Sequence, residues 1–170
     1  ISAKHKEKPL KPKPKKLWMV LGIAGFILII LTGLTVVNLN FSRQNPGGND
    51  FLVHWVGTRA LLLDGISPYS DEAALQIQEM AYGRPARPGE HELRVAYPVY
   101  SVAVFFPFAL VNDFNLARAL WMTLLEAALL LLTYFSIRLV NWKPSLMSLA
   151  AFFVFGVLWY HSVRPLINGN

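Results

Sequence analysis

Asp50 and His54 are the residues of this chain whose types and spacing could do chemistry. They stand four residues apart in the stretch "GGNDFLVHWVGTRALLLDGISPYS", residues 47–70. On a helix, residues four apart lie one turn apart on the same face, so the carboxylate and the imidazole come within hydrogen-bonding reach. Such a hydrogen bond could orient either group for acid–base work. Local chemistry alone favours a simpler role for Asp50, as the N-cap of the helix that follows the glycines.

Glu126 is the second carboxylate with an unusual setting, because it lies in the middle of a long apolar segment. A carboxylate inside a membrane costs several kcal/mol if it is charged and unpaired, so it should face protein. Its role could be catalysis or binding of a lipid carrier. A neutral, hydrogen-bonded contact between helices, or with a partner subunit, fits equally well.

Several kinds of chemistry are excluded by composition. The chain has no cysteine, which removes disulfides, thiolate metal sites and thiol nucleophiles. Its four histidines are scattered, and it has neither a glycine-rich phosphate loop nor a dinucleotide fingerprint, so no metal or cofactor is predicted. Seven of the sixteen basic residues are lysines within the first sixteen positions. They form a tail rather than a basic groove, so nucleic acid is not an expected partner.

The elements that position these residues are predicted to be membrane helices. Hydrophobic residues make up 54% of the 170 positions and charged residues only 15%, which is typical of an all-α polytopic membrane protein. The predicted order is a disordered cytoplasmic tail (1–16), a first transmembrane helix (17–37), an external loop (38–96), a second span kinked at Pro107 (97–111), a third span (117–140), a fourth span (145–163) and a cytoplasmic end (164–170). The lysine-rich tail precedes the first span, which predicts a cytoplasmic N-terminus and an extracytoplasmic loop.

Two amphipathic helices are predicted within the loop. The first covers residues 50–64 and lies on the bilayer surface, because its apolar residues recur at helical spacing along one stripe. The second covers residues 71–82, with Ser70 as its N-cap and Gly83 at its end. Asp50 and His54 would then lie on the polar side of the first helix, at the membrane surface.

A set of short motifs from residue 17 to the C-terminal end of the chain resembles the N-terminal part of the family-87 glycosyltransferases, the mannosyltransferase-like membrane enzymes of GT-C architecture. That family has an Asp early in its first external loop, then Gly-x-x-Pro-Tyr, a Tyr-Pro-Pro entry to a span, a proline within the span and a Trp opening the next helix. The matching residues are Asp50, Gly65, Pro68, Tyr69, Tyr97, Pro98, Pro107 and Trp121.

The resemblance implies transfer of a sugar, mannose-like, from a polyprenyl-phosphate carrier to a lipid or glycan hydroxyl at the outer membrane face. The family's external Asp corresponds to Asp50, which would be the general base. His54 and Glu126 would help to bind substrate. Arg59 and Arg94 would hold the leaving phosphate, since a guanidinium matches phosphate oxygens in a fork, although either could be a solvated loop charge. Membrane lipids and the lipid-linked sugar are the expected partners.

Departures from the family pattern keep an alternative open. Val99 stands where the family has its second proline, and Ser70 replaces a frequent Asp. Family members are also roughly twice as long or more and have more spans. The chain is therefore expected to be either the N-terminal part of a longer enzyme or a shortened relative. In the second case it would be a non-catalytic accessory subunit of a larger membrane complex.

Overall fold

A computed structural model describes residues 14–169, so most of the predicted basic tail lies outside the described residues. The described part is all-helical and contains no strand. Its seven helices are α1 (Pro14–Gln44), α2 (Asn49–Leu63), α3 (Asp71–Tyr82), α4 (Ser101–Ala109), α5 (Phe114–Leu139), α6 (Leu146–Leu158) and α7 (Tyr160–Asn168). The chain divides into two compact units, Ile1–Leu34 and Thr35–Asn170.

Two helices are long and apolar enough to cross a membrane. They are the segment Lys16–Gln44 of α1 and the whole of α5. The pair α6 and α7, bent by 44° at their junction, would make a third span if the two helices cross together. In the first unit, the apolar side chains of α1 are exposed along their length, which suits hydrocarbon rather than water. The expectation of a helical membrane protein is therefore met at this level.

The expected second span, residues 97–111, is only the nine-residue helix α4. Nine residues reach about 14 Å, less than half of a hydrocarbon core. Pro107 lacks a backbone donor, and the helix ends two residues after it. Asp113 then caps α5 by accepting a hydrogen bond from the Leu116 amide. The described residues therefore provide at most three candidate spans, where four were expected.

Helix α2 lies at the centre of the second unit, which differs from the predicted surface helix. Every residue from Phe51 to Thr58 is buried, and α2 contacts α3, α4 and α7. The reason is in the sequence: Phe51, Val53 and Trp55 are as apolar as the predicted stripe and lie off it. A helix that is apolar on all sides is buried by protein rather than laid on a surface.

Helix α3 follows its sequence signals. The Ser70 hydroxyl accepts a hydrogen bond from the Ala73 amide at 3.2 Å. Gly83 adopts a φ of +67°, and its amide donates to the Glu79 carbonyl. Both the N-cap and the glycine end were predicted from local chemistry alone.

The end of the described chain packs against α2. The predicted fourth span, 145–163, is interrupted at Trp159, whose backbone is extended, and α7 continues to Asn168. The Trp121 indole then donates to the Gly169 carbonyl at 3.1 Å, and a Cβ at Gly169 would overlap the Cβ of Phe51. Residues 164–169 therefore lie beside a helix of the predicted external loop, whereas they were expected on the opposite side of the membrane.

Candidate functional site

Asp50 is the second residue of α2 and not its N-cap. The N-cap is Gly48, with a φ of +76°, and no side chain caps this end of the helix. The Asp50 side chain is partly exposed. Among the residues that the structure describes, its carboxylate has no hydrogen bond and no ion pair. An accessible carboxylate with open lone pairs is therefore what the structure places at this position.

His54 is packed between two aromatic rings. Its ring centroid lies 3.9 Å from that of Tyr97 and 3.9 Å from that of Phe105, the latter nearly parallel. Burial lowers the pKa of His54 to about 4, against the opposing effect of the negative charge of Asp50. The imidazole is consequently neutral at pH 7. An uncharged imidazole therefore lies beside Asp50, and the two residues do not form an ion pair.

Tyr97 completes the surroundings of Asp50. Burial raises the pKa of its phenol, and the charge of Asp50 raises it further. The Tyr97 carbonyl accepts a hydrogen bond from the Tyr69 hydroxyl at 2.7 Å. This bond joins the turn after α2 to the segment before α4. Two short motifs that lie far apart in the sequence therefore meet next to His54.

Arg59 does not join this group. It follows Asp50 by nine residues on the same helix, which places it roughly 13 Å further along the axis and on the opposite face. Its guanidinium donates to the Ala109 carbonyl at 2.6 Å and to Asn112 Oδ1 at 3.3 Å, above the Trp55 ring. Arg59 thus binds the last carbonyl of α4 and holds that helix against α2.

Arg94 is also separate from Asp50. It is exposed and forms ion pairs with Asp71 and Glu92, each at 2.6 Å. The hydrogen bonds that its guanidinium donates to Glu92 and to Asp71 raise the pKa of Arg94. The structure therefore does not bring either predicted phosphate-binding arginine to the predicted base.

Glu126 faces protein, as its position predicts. Its carboxylate accepts a hydrogen bond from Asn38 Nδ2 at 2.9 Å. The same amide donates to the Thr123 hydroxyl, which also bonds to Thr35, both at 3.1 Å. Ser42 donates to Asn115 Oδ1 nearby. These residues form a polar seam between the Thr35–Gln44 part of α1 and α5, and Glu126 lies at its end.

Arg118 is a notable residue that sequence reasoning missed. Its side chain is only 1% exposed. It donates to the Asn45 carbonyl at 2.8 Å and to the Ile167 carbonyl at 2.9 Å, and its Nε has no hydrogen-bond partner within the described part of the chain. One available signal was a lone arginine in the second turn of an otherwise apolar helix start, "FNLARALW".

Cavities border the second unit at several places. One cavity of about 580 Å³ lies between α2 and α3 and includes Trp55, Arg59 and Glu79 in its lining. An apolar groove of about 440 Å³ separates α5 from α7. Beside His54 and Tyr97 the free volume is only about 10 Å³, which is close to one water molecule.

Over residues 14–169, these features define an all-helical chain with a helical segment packed around α2. Two of its helices, or up to three spans if the bent pair is counted, are long and apolar enough to cross a membrane. Comparison with protein-family models, with curated proteins and with solved structures found no match to this chain. Within residues 14–169, no group of three or more His, Asp or Glu side chains could hold a metal ion.

Proposed function

We propose that this chain is a membrane glycosyltransferase, or the N-terminal part of one, that uses Asp50 as its general base. It transfers a mannose-like sugar from a polyprenyl-phosphate carrier to a lipid or glycan hydroxyl on the extracytoplasmic side. The observation that carries the proposal is the state of the Asp50 carboxylate, which is partly exposed and unpaired among the described residues. The motif order that resembles family 87 supports the same assignment.

Three other carboxylates of the same region are unsuited to this role. Glu90 accepts hydrogen bonds from the Arg84 guanidinium and the Arg87 amide, which lower its pKa to about 2. A carboxylate held in this way is a weak base and has few lone pairs to offer a substrate. Asp71 and Glu92 are likewise bound to Arg94. No arginine occupies the carboxylate oxygens of Asp50 within the described residues, so they are free to accept the proton of an acceptor alcohol.

The reaction requires one proton transfer and one displacement. Asp50 takes the proton of the acceptor hydroxyl as the acceptor oxygen bonds to the anomeric carbon of the sugar. The bond from that carbon to the carrier's phosphate oxygen breaks, and the phosphate leaves with the electron pair. Neutral His54 leaves the negative charge of Asp50 uncompensated, so the carboxylate remains available to the proton.

A second candidate function is that of a non-catalytic subunit of a larger membrane complex. It is favoured by the structural use of the other predicted site residues. Arg59 holds the end of α4, and Glu126 holds Asn38 across the seam. Side chains that bind other helices of the same chain in this way stabilise the fold, and a non-catalytic subunit would need them as much as an enzyme would.

The test compares Asp50→Asn with Asp64→Asn in the native polypeptide, in membranes supplied with polyprenyl-phosphate [³H]mannose. Asp64 is the exposed C-cap of α2, so its replacement makes the same change of charge away from Asp50. Loss of a general base slows transfer by roughly 10²-fold to 10⁴-fold, and we expect that loss only in Asp50→Asn. Equal activities of the two variants would leave the subunit role as the better explanation.

A further inference from the structure

A polar cavity of about 270 Å³ lies where the end of α1, the start of α2 and the start of α5 meet. We call it the junction cavity. Its polar lining consists of Ser42, Arg43, Gly47, Asn49, Asn115 and Arg118. The lining thus includes two arginines and no carboxylate. A cavity of several water volumes with a net positive lining is suited to an anion.

Arg118 places a buried cation in the lining of the junction cavity. A guanidinium has five N–H groups. In Arg118 one bonds to Asn45 and one to Ile167, both through backbone carbonyls, and Nε has no partner among the described residues. A charge that is 99% buried is costly unless it is fully hydrogen-bonded, and the spare donors call for an acceptor.

The first turn of α2 adds backbone donors. The helix starts at Gly48, which offers no side chain to accept from the free amides of that turn. Gly48 lies directly on the guanidinium, since a Cβ there would be 2.6 Å from Arg118 Nε. The positive end of the α2 dipole and the buried cation of Arg118 are therefore adjacent, and both favour an anion.

Two further side chains in the lining, Arg43 and Asn115, can also donate hydrogen bonds. Arg43 is exposed in the last turn of α1 and has no ion pair within the described residues. The Asn115 oxygen accepts from Ser42, which directs its amide N–H groups to other acceptors. The nearest carboxylate in sequence, Asp50, is not among the lining residues.

We propose that the junction cavity binds the phosphate group of a phosphate ester. It lies at the ends of α1 and α5, the two candidate spans, where lipid headgroup phosphates are found. Leu52, Met80 and Phe114 provide an apolar side that would contact whatever the phosphate carries. The shared chemistry is a phosphate oxyanion, and its source is either a headgroup or a soluble phosphate. This proposal holds whether or not Asp50 acts as a base.

The test uses the full chain in dodecyl maltoside micelles, which contain no phosphate, with binding followed by thermal unfolding and by ³¹P NMR. One arm adds inorganic phosphate, and the other adds phosphatidic acid to the micelles. We expect saturable stabilisation in at least one arm, and a loss of affinity of roughly tenfold in Arg43→Gln from removal of a charged hydrogen bond. Arg87→Gln, which removes an exposed arginine outside the cavity, is the matched control and should bind as the native chain does.

Each outcome decides the proposal. Binding only in the second arm identifies a lipid headgroup, and equal binding in both identifies the phosphate itself. Arg118→Lys is expected to abolish binding if the variant folds, and Arg43→Gln carries the test if it does not. Asp50→Asn is expected to retain binding even if it abolishes sugar transfer, so the two proposals fail separately. Absence of saturable binding, or equal losses in Arg43→Gln and Arg87→Gln, would overturn the site.

Discussion

Replacement of Gly48 by alanine tests how tightly the start of α2 rests on Arg118. Gly48 has a φ of +76°, which costs an alanine about 1–2 kcal/mol. A Cβ would also lie 2.6 Å from Arg118 Nε, 3.0 Å from its Cδ and 3.1 Å from its Cζ. The guanidinium must then move, and it is held by hydrogen bonds to Asn45 and Ile167.

The expected cost of Gly48→Ala follows from these two contributions. A hydrogen bond to a charged group contributes about 1.5–3 kcal/mol, and displacement of the guanidinium breaks at least one. Added to the backbone cost, the total loss in the free energy of unfolding is roughly 2.5–5 kcal/mol. Gly65→Ala is the matched control: Gly65 has a φ of +66°, and a Cβ there would have no neighbour within 4 Å. It should lose about 1–2 kcal/mol only.

Both variants can be compared by SDS titration in mixed micelles, with helicity followed by circular dichroism. Arg118→Ala, which removes Cδ, Nε and Cζ together, supplies a further arm. In that background the guanidinium is absent, and Gly48→Ala should cost no more than Gly65→Ala does in the native chain. The reasoning is refuted if Gly48→Ala and Gly65→Ala destabilise the native chain equally.

Two other predictions concern His54 and Glu126. Burial lowers the pKa of His54 from 6.5 to about 4, so the folded chain binds fewer protons than the unfolded chain between these values. The resulting stability is complete above pH 6.5 and is lost as the pH falls toward 4, by about 3 kcal/mol in all. The difference in thermal stability between pH 7.5 and pH 4.5 should be smaller for His54→Phe than for the native chain. An equal difference in the two proteins would contradict this. Glu126→Gln retains an acceptor for Asn38, so its free energy of unfolding in SDS titration should be nearly that of the native chain. Glu126→Leu removes the acceptor and should lose about 1 kcal/mol more. Equal losses in the two variants would contradict a role of this hydrogen bond in stability.

The features that could be predicted from the sequence are those set by near neighbours. Ser70 and Gly83 bound α3 because capping involves residues only three or four apart. The proximity of Asp50 to His54 follows from helical spacing in the same way. Long apolar segments identified α1 and α5 because a bilayer requires length and hydropathy rather than particular partners.

Features set by distant contacts could not be predicted. The aromatic sandwich of His54 depends on Tyr97 and Phe105, which lie more than forty residues away. Arg118 binds backbone carbonyls of Asn45 and Ile167, and a carbonyl carries no residue identity from which a pattern could be recognised. The segment around α4 has the hydropathy of a span, and its short length follows from Pro107 and from packing on α2.

The polar seam between α1 and α5 has a consequence for how these helices can move. The Asn38 amide donates directly to the Thr123 hydroxyl and to the Glu126 carboxylate. A turn of the Thr35–Gln44 stretch about its own axis by one residue, roughly 100°, would point the Asn38 amide away from α5. In hydrocarbon that amide would find no replacement acceptor, at a cost of several kcal/mol. The seam therefore fixes the azimuth of this stretch, which can tilt or bend against α5 more readily than it can spin.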